Sequence, residues 1–257
     1  MSELINADGS PLSQRKPFHT TSDKYTFIPT HDIIRDFDSL GWKVEDTKYG
    51  KPRSRERIGF QKHMVIFGEK TPSFTKNDVS PRIVVVNSHD GSSAFRFNAG
   101  LIRWVCENGL IVSDQTFGDV SIRHINYTYA ELKRVMEEFM QRIPTMHNTV
   151  EKFMSTKMTT ENNRQFAWEA GVVRFGEEKM SRVKIDDILT PRRTQDNVET
   201  VWNTMNVIQE NLIRGGVTIE GIKKSSKPRK TREVRSVAMN VEVNKAVWQL
   251  ATQYSNN

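Results

Sequence analysis

The chain has 257 residues, 36% of them apolar and 27% charged, with 14 Gly and 9 Pro, a globular composition that excludes collagen, low-complexity polymers and full disorder. Lys and Arg total 38 against 31 Asp and Glu, and the resulting net charge of +7 favours a polyanionic partner and runs opposite to an acidic DNA mimic. The single Cys106 rules out an internal disulfide, and no Cys/His set has zinc spacing.

Residues 1 to 24 mix Ser, Pro, Asn, Lys and Arg without apolar period, which predicts a flexible leader. From Thr30, the residues Ile33, Ile34, Phe37 and Leu40 fall on one helical face, and Gly41 stands where a C-terminal cap belongs. Strands are predicted over Trp42 to Lys48, Ile58 to Phe67 and Arg82 to Asn87, each bounded by turn-forming residues. The basic stretch from Lys51 to Arg57 joins the first two as a hairpin tip. Asp90-Gly91 supplies a turn before Ala94 to Phe97. Leu101 to Val105 predicts a short apolar helix, followed by a strand pair around Leu110 to Val112 and Val120 to Ile125.

Thr128 and Glu131 then form a capping box, and Leu132, Val135, Met136, Phe139, Met140 and Ile143 recur at helical spacing up to Pro144, which should stop the run. Val150 to Met158 and Glu161 to Ala170 predict two more helices, the second closed by Gly171. From Asp196 to Leu212 lies the strongest amphipathic pattern, ending at Gly215-Gly216. Seven of the ten residues from 223 to 232 are Lys, Arg or Pro, with no acid, within a mobile basic loop expected near 217–236. A last helix is expected from about Val241 to Tyr254. The expected fold is α+β: an antiparallel β-sheet over about 42–125, packed by helices mainly from the C-terminal half, all within one domain from 25 to 257.

The search for chemistry is mostly negative. Walker, dinucleotide, zinc-protease and nucleophile-elbow motifs are missing, so ATP hydrolysis and redox chemistry lose their usual sequence support and no cofactor is expected. His19, His31, His63, His124 and His147 are scattered, and Asp186-Asp187 and Glu177-Glu178 suit helix starts better than a cation, so no metal is expected either. Only Ser88-His89-Asp90-Gly91 places His and Asp beside a hydroxyl, the material of a proton relay. Adjacent residues rarely face one another. A turn in which Ser and Asp bond backbone amides and Gly91 takes a positive φ explains the motif better.

The basic segments carry the functional expectation. Lys51, Arg53, Arg55 and Arg57 fall within seven residues and are followed by Phe60 and Lys62; cations neutralise phosphates, and an aromatic ring offers a stacking face for an unpaired base. Lys223, Lys224, Arg229, Lys230 and Arg232 form a second such cluster. The alternative is two solvated loops that maintain solubility.

Phe27-Ile28-Pro29-Thr30, Gly41-Trp42, Gly59 to Met64, Ser88 to Ser93, Cys106 to Leu110, Arg192 to Asp196, Trp202, Asn206, Gln209-Glu210-Asn211, Gly215-Gly216, Thr231-Arg232 and Asn244 to Trp248 together resemble the phage/plasmid-like family known as the domain of unknown function numbered nine hundred and thirty-two. That resemblance implies a mobile-element origin. The order helix, Gly-Trp, three strands, helix is also similar at fold level to single-strand annealing proteins of the Rad52 superfamily, which hold a strand in the basic groove of an oligomer without ATP. The expected function is therefore binding or annealing of single-stranded DNA in phage or plasmid recombination or replication, with a homo-oligomer as a further implication. A factor that binds a host protein to disable a defence or redirect a host enzyme is the alternative, and a hydrolase or nuclease using His89 and Asp90 is a third. Apolar runs such as Ile83 to Val86 are too short to span a bilayer, so no membrane association is expected and the bacterial cytoplasm is the expected location.

Overall fold

Five strands pair antiparallel in chain order, β1 (Trp42–Tyr49), β2 (His63–Glu69), β3 (Val79–Asn87), β4 (Arg96–Arg103) and β5 (Asn108–Ile111). The computed structural model describes residues 9–22, 25–71, 79–103, 108–111, 128–222 and 227–256. The chain divides into two compact units, Met1–Ile143 with Arg235–Val237, and Pro144–Val234 with Ala238–Asn257; the stretch from 25 to 257 comprises both.

The first unit holds the sheet. Every residue of β2 and β3 is buried, as continuous apolar runs flanked by turn residues require of strands covered on both faces. The register pairs His63 with Asn87, Val65 with Val85 and Phe67 with Ile83, while Val85 faces Phe97 on β4. These side chains share one face because strand side chains alternate. Helix α1 (Thr30–Ser39) lies over that face: Phe37 stacks on Phe67 with ring centroids 4.1 Å apart and on Phe97 at 6.1 Å. The N-terminal part of helix α2 (Tyr129–Ser155) adds Phe139, 5.9 Å from Trp42 and 6.4 Å from Phe97. Aromatic pairs at such spacings contribute beyond their burial. The Thr128 hydroxyl accepts from the Glu131 amide at 3.1 Å, so the predicted cap does start α2.

The second unit is helical: α3 (Thr160–Phe175), α4 (Glu177–Met180), α5 (Ile185–Leu189), α6 (Val201–Arg214) and α7 (Val237–Asn256), with a two-residue ribbon of β6 (Thr218–Ile219) and β7 (Arg229–Lys230). Helix α6 is its axis. All residues from Val201 to Ile213 are buried, and only Arg214 reaches solvent. Phe153 packs against Trp248 at 5.0 Å and Phe166 stacks on Tyr254 at 5.2 Å.

The α+β class holds, with helices mainly in the C-terminal half. Several local expectations do not. Leu101–Arg103 continue β4 instead of starting a helix, since a short apolar run fits a buried strand equally well and pairing with β3 and β5 decides between them. Pro144 lies inside α2, whose burial outweighs the lost hydrogen bond. Gly171 lies inside α3, where the missing Cβ makes room for the Met180 thioether, and the helix ends at Gly176 with φ +77°. The second strand starts at His63, not Ile58, because Gly59 at φ +88° interrupts the extended chain. The final helix begins four residues earlier than expected, at Val237. The segment taken for a flexible leader contains a 3-10 turn at Pro11–Ser13, and Leu12 and Phe18 are buried. The strand expected over Val120 to Ile125, and Val112, lie outside the described residues.

Candidate nucleic-acid interface

The motif at Ser88 to Ser93 is the turn that leaves β3. Gly91 has φ +71°, the Ser92 amide donates to Asp90 Oδ1 at 3.0 Å, and the Ser93 amide donates to Ser88 Oγ at 3.0 Å, while that hydroxyl donates to the Ser93 carbonyl. Each of these is a local bond that fixes a turn.

Below the turn lies a buried polar cluster. Thr30, His63, Asn87, Ser88 and His89 are all without solvent exposure. The Gln61 carbonyl only accepts, so at 3.0 Å it takes the proton of His63 Nδ1, which leaves Nε2 as an acceptor. The Thr30 hydroxyl, 2.7 Å away, therefore donates to His63. In turn it accepts from Asn87 Nδ2 at 3.1 Å and from His89 Nε2–H at 3.2 Å, the latter proton shared with the Pro11 carbonyl at 2.9 Å. This set of protons engages both nitrogens of His63 as a neutral imidazole. Burial pushes His63 down to about 4, against its bond to Gln61 and the charge of Asp90. Burial, helped by Asp90, raises Tyr25 to about 12, and its hydroxyl donates to the Ser88 carbonyl at 2.6 Å.

This arrangement fits anchoring better than hydrolysis. Ser88 Oγ is bonded to the Ser93 backbone, and neither ring reaches it as a base would have to. The cluster instead holds the connection between β1 and β2. His89 donates its amide to the Phe60 carbonyl at 2.8 Å, Gly50 donates to Lys62 at 2.8 Å, and the Gln61 side chain accepts the Gly59 amide at 2.7 Å. Arg57 is built into the same assembly: it lies 3.4 Å from the Asp90 carboxylate and 4.5 Å over the Phe18 ring. Phe60 is half-buried with its ring edge-on to Phe18 at 5.4 Å, and Lys62 is half-buried.

Lys51, Arg53 and Arg55 are exposed on this anchored connection and form no ion pair with any described residue. In the second unit Arg229 and Arg232 are exposed, whereas Lys230 is engaged by Asp187 at 3.0 Å. Desolvation opposes the charge on Asp187, yet bonds from Thr218 and Lys230 prevail and hold its carboxyl down at about 2. Lys223 and Lys224 lie outside the described residues. The two basic clusters belong to different units, and each is a surface of its own unit.

The motif residues of the second unit close around α6. Arg193 grips buried Glu210 with both terminal nitrogens, at 2.5 and 2.8 Å. Arg192 donates to Asn211 Oδ1 at 2.7 Å and to the Gly215 carbonyl at 2.6 Å, and Asn211 donates to the Ile188 and Thr190 carbonyls at 2.9 Å. Gln209 donates to Asn244 at 3.0 Å. A Cβ on Gly215 would lie 2.6 Å from the backbone of Thr231 and Arg232, so that residue is glycine for want of space as well as for its φ of +81°. Arg174 was not anticipated. Its guanidinium donates to the Leu212 and Arg232 carbonyls, and burial lowers it to about 10.

Among the described residues no group of three or more His, Cys, Asp or Glu side chains is placed to hold a metal ion, and no helix is long and apolar enough to cross a membrane. Comparison with known proteins gives relatives from Escherichia coli strain K12. The chain is 31% identical to the UPF0380 protein YfjQ over 252 residues and 30% identical to the UPF0380 protein YafZ over 249 residues, in each case covering 97% of this chain and 89% of the relative. No solved structure matches significantly. The profile of one family matches residues 17–248, which takes in the 88–93 turn, the basic connection and the α6 clamp alike, and the chain belongs to that family, the Domain of unknown function (DUF932).

Proposed function

We propose that the protein binds single-stranded nucleic acid without nucleotide hydrolysis, in the recombination or replication of a phage or plasmid. The observation that carries this reading is the β1–β2 connection: Lys51, Arg53 and Arg55 are exposed and unmatched by described carboxylates, on a segment anchored by the Arg57–Asp90 pair and the His89 amide. Cations held in place lose less freedom on meeting a phosphate backbone than cations on a loose loop. Six phosphate contacts in all would give a salt slope near −4, a loss of roughly 300-fold in affinity between about 50 and about 200 mM salt.

The test is anisotropy of a labelled single strand of about 30 nucleotides, longer than one small binding fold occupies. The triple variant Lys51→Gln, Arg53→Gln, Arg55→Gln should weaken binding and reduce the salt slope by about 2. No binding by the unaltered chain at low salt, or an unchanged slope in the variant, overturns the proposal.

A further inference from the structure

The second unit has a cavity of about 420 Å³ where the end of α3, α4 and the β6–β7 ribbon converge. Its lining divides into two chemistries. Phe175, Ile219 and Ile222 are apolar, and Ile222 is 83% exposed. Lys179, Arg182, Lys227 and Arg229 are cationic, and none of them pairs with a described carboxylate. Arg182 uses one of its five N–H groups on the Glu220 carbonyl at 3.2 Å and keeps the others. Among the described lining residues Glu220 contributes the one carboxylate, so positive charge dominates there.

One lining ring is held in place. The guanidinium of Arg174 lies 4.9 Å over the Phe175 ring while its nitrogens bond the carbonyls of Leu212 on α6 and of Arg232. A purely solvated basic face has no use for a bulky exposed isoleucine or a clamped ring beside its cations. A flat apolar ring attached to an anion suits both sets of residues. The volume suits a small ligand and excludes a duplex.

We infer that this cavity seats one nucleotide unit of a bound strand, its phosphate on Lys179, Arg182 and Arg229 and its base against Phe175 and Ile222. This rests on the proposed single-strand binding and assigns the second unit a contact of its own. The sequence pointed to Arg229 alone among these residues, because the others are spread from Arg174 to Lys227 without a common period.

The experiment compares the full chain with two variants on a base-bearing single strand and on an abasic strand of equal length. Lys179→Gln with Arg229→Gln removes exposed charges only; it should weaken binding to both strands and lower the salt slope by about 1.4. Phe175→Leu keeps an apolar side chain; it should weaken binding to the base-bearing strand roughly tenfold and leave the abasic strand unaffected. If both variants bind like the unaltered chain while the Lys51/Arg53/Arg55 variant is impaired, the cavity assignment falls and the single-strand reading stands. If Phe175→Leu weakens both strands equally, the base contact is wrong. An unaltered chain that binds neither strand at low salt overturns both proposals.

Discussion

Around the turn at 88–93 buried polar side chains bond mainly to one another and to backbone carbonyls, whereas at α6 the Glu210 carboxylate is buried in a bidentate ion pair. Thr30, His63, Asn87 and His89 bond to one another and to nearby carbonyls, and the Asp90 carboxylate beside them, as buried as that of Glu210, meets Arg57 at a single 3.4 Å contact. The α6 clamp places a full charge on Glu210, which is 2% exposed, opposite a bidentate guanidinium. A neutral network costs little to desolvate and responds to protonation. A buried ion pair is costly to desolvate and fails badly when one partner is removed. Both regions contain residues that carry the family resemblance, and in both the bonds run inward to backbone and core.

The comparison breaks most decisively at Glu210. Glu210→Gln removes the nearer of two carboxylates beside Arg193 and leaves Asp196 at 3.8 Å; loss of one partner of a buried pair costs about 3 to 5 kcal/mol, here nearer the lower figure because Arg193 keeps Asp196 and some exposure. Replacing the pair together, Glu210→Leu with Arg193→Met, should cost less than the single change. Hydrogen exchange of the α6 amides reports this locally. Equal protection in the single variant and the unaltered chain would show that the charge contributes nothing.

The next effect in size belongs to the neutral cluster and is read with pH. His63 has a folded-state value of about 4 and an unfolded value of 6.5, so between those limits the unfolded chain binds more protons. The stabilisation from keeping it neutral is complete above pH 6.5 and declines as pH falls towards 4, by about 3 kcal/mol in all. A His63→Gln variant cannot titrate there. Denaturation profiles of the two proteins over this range should converge towards acid; parallel profiles would show that the ring is not held neutral.

These bonds were not legible in the sequence, although much around them was. Phe37, Trp42 and the strands about Val65 and Val85 could be read because burial imposes a local period, and the Thr128 cap and the Gly91 turn because their partners lie within three residues. Thr30 meets His63 and His89 across 33 and 59 residues, and no period links them. Leu12 and Phe18 show the same limit, since two apolar residues in a polar stretch have no pattern until the Pro11 carbonyl meets His89 and the Phe18 ring meets Arg57. Pro144 and Gly171 misled in the opposite direction. Their local propensities are real but small beside the burial of α2 and α3. Lys51, Arg53 and Arg55 were legible because exposed charge is a matter of composition, and Arg57 differs from them through contacts distant in sequence, with Asp90 33 positions away and with the Phe18 ring.

The smallest of these effects sharpens the contrast at Thr30. Thr30→Val keeps the shape and removes the hydroxyl, so His63 Nε2 loses its donor and Asn87 Nδ2 one of two acceptors, the other being the Ile28 carbonyl. An unsatisfied buried acceptor costs about 1 to 3 kcal/mol, less than a stranded charge. Thr30→Ser retains the hydroxyl and loses a methyl group, about 1 kcal/mol for a buried carbon. If hydrogen bonding is what Thr30 supplies, the Val variant is the less stable of the two in urea, and its pH profile changes because the Nε2 lone pair is then free to take a proton. If packing is what it supplies, the Ser variant is the less stable one and the pH profile is unmoved.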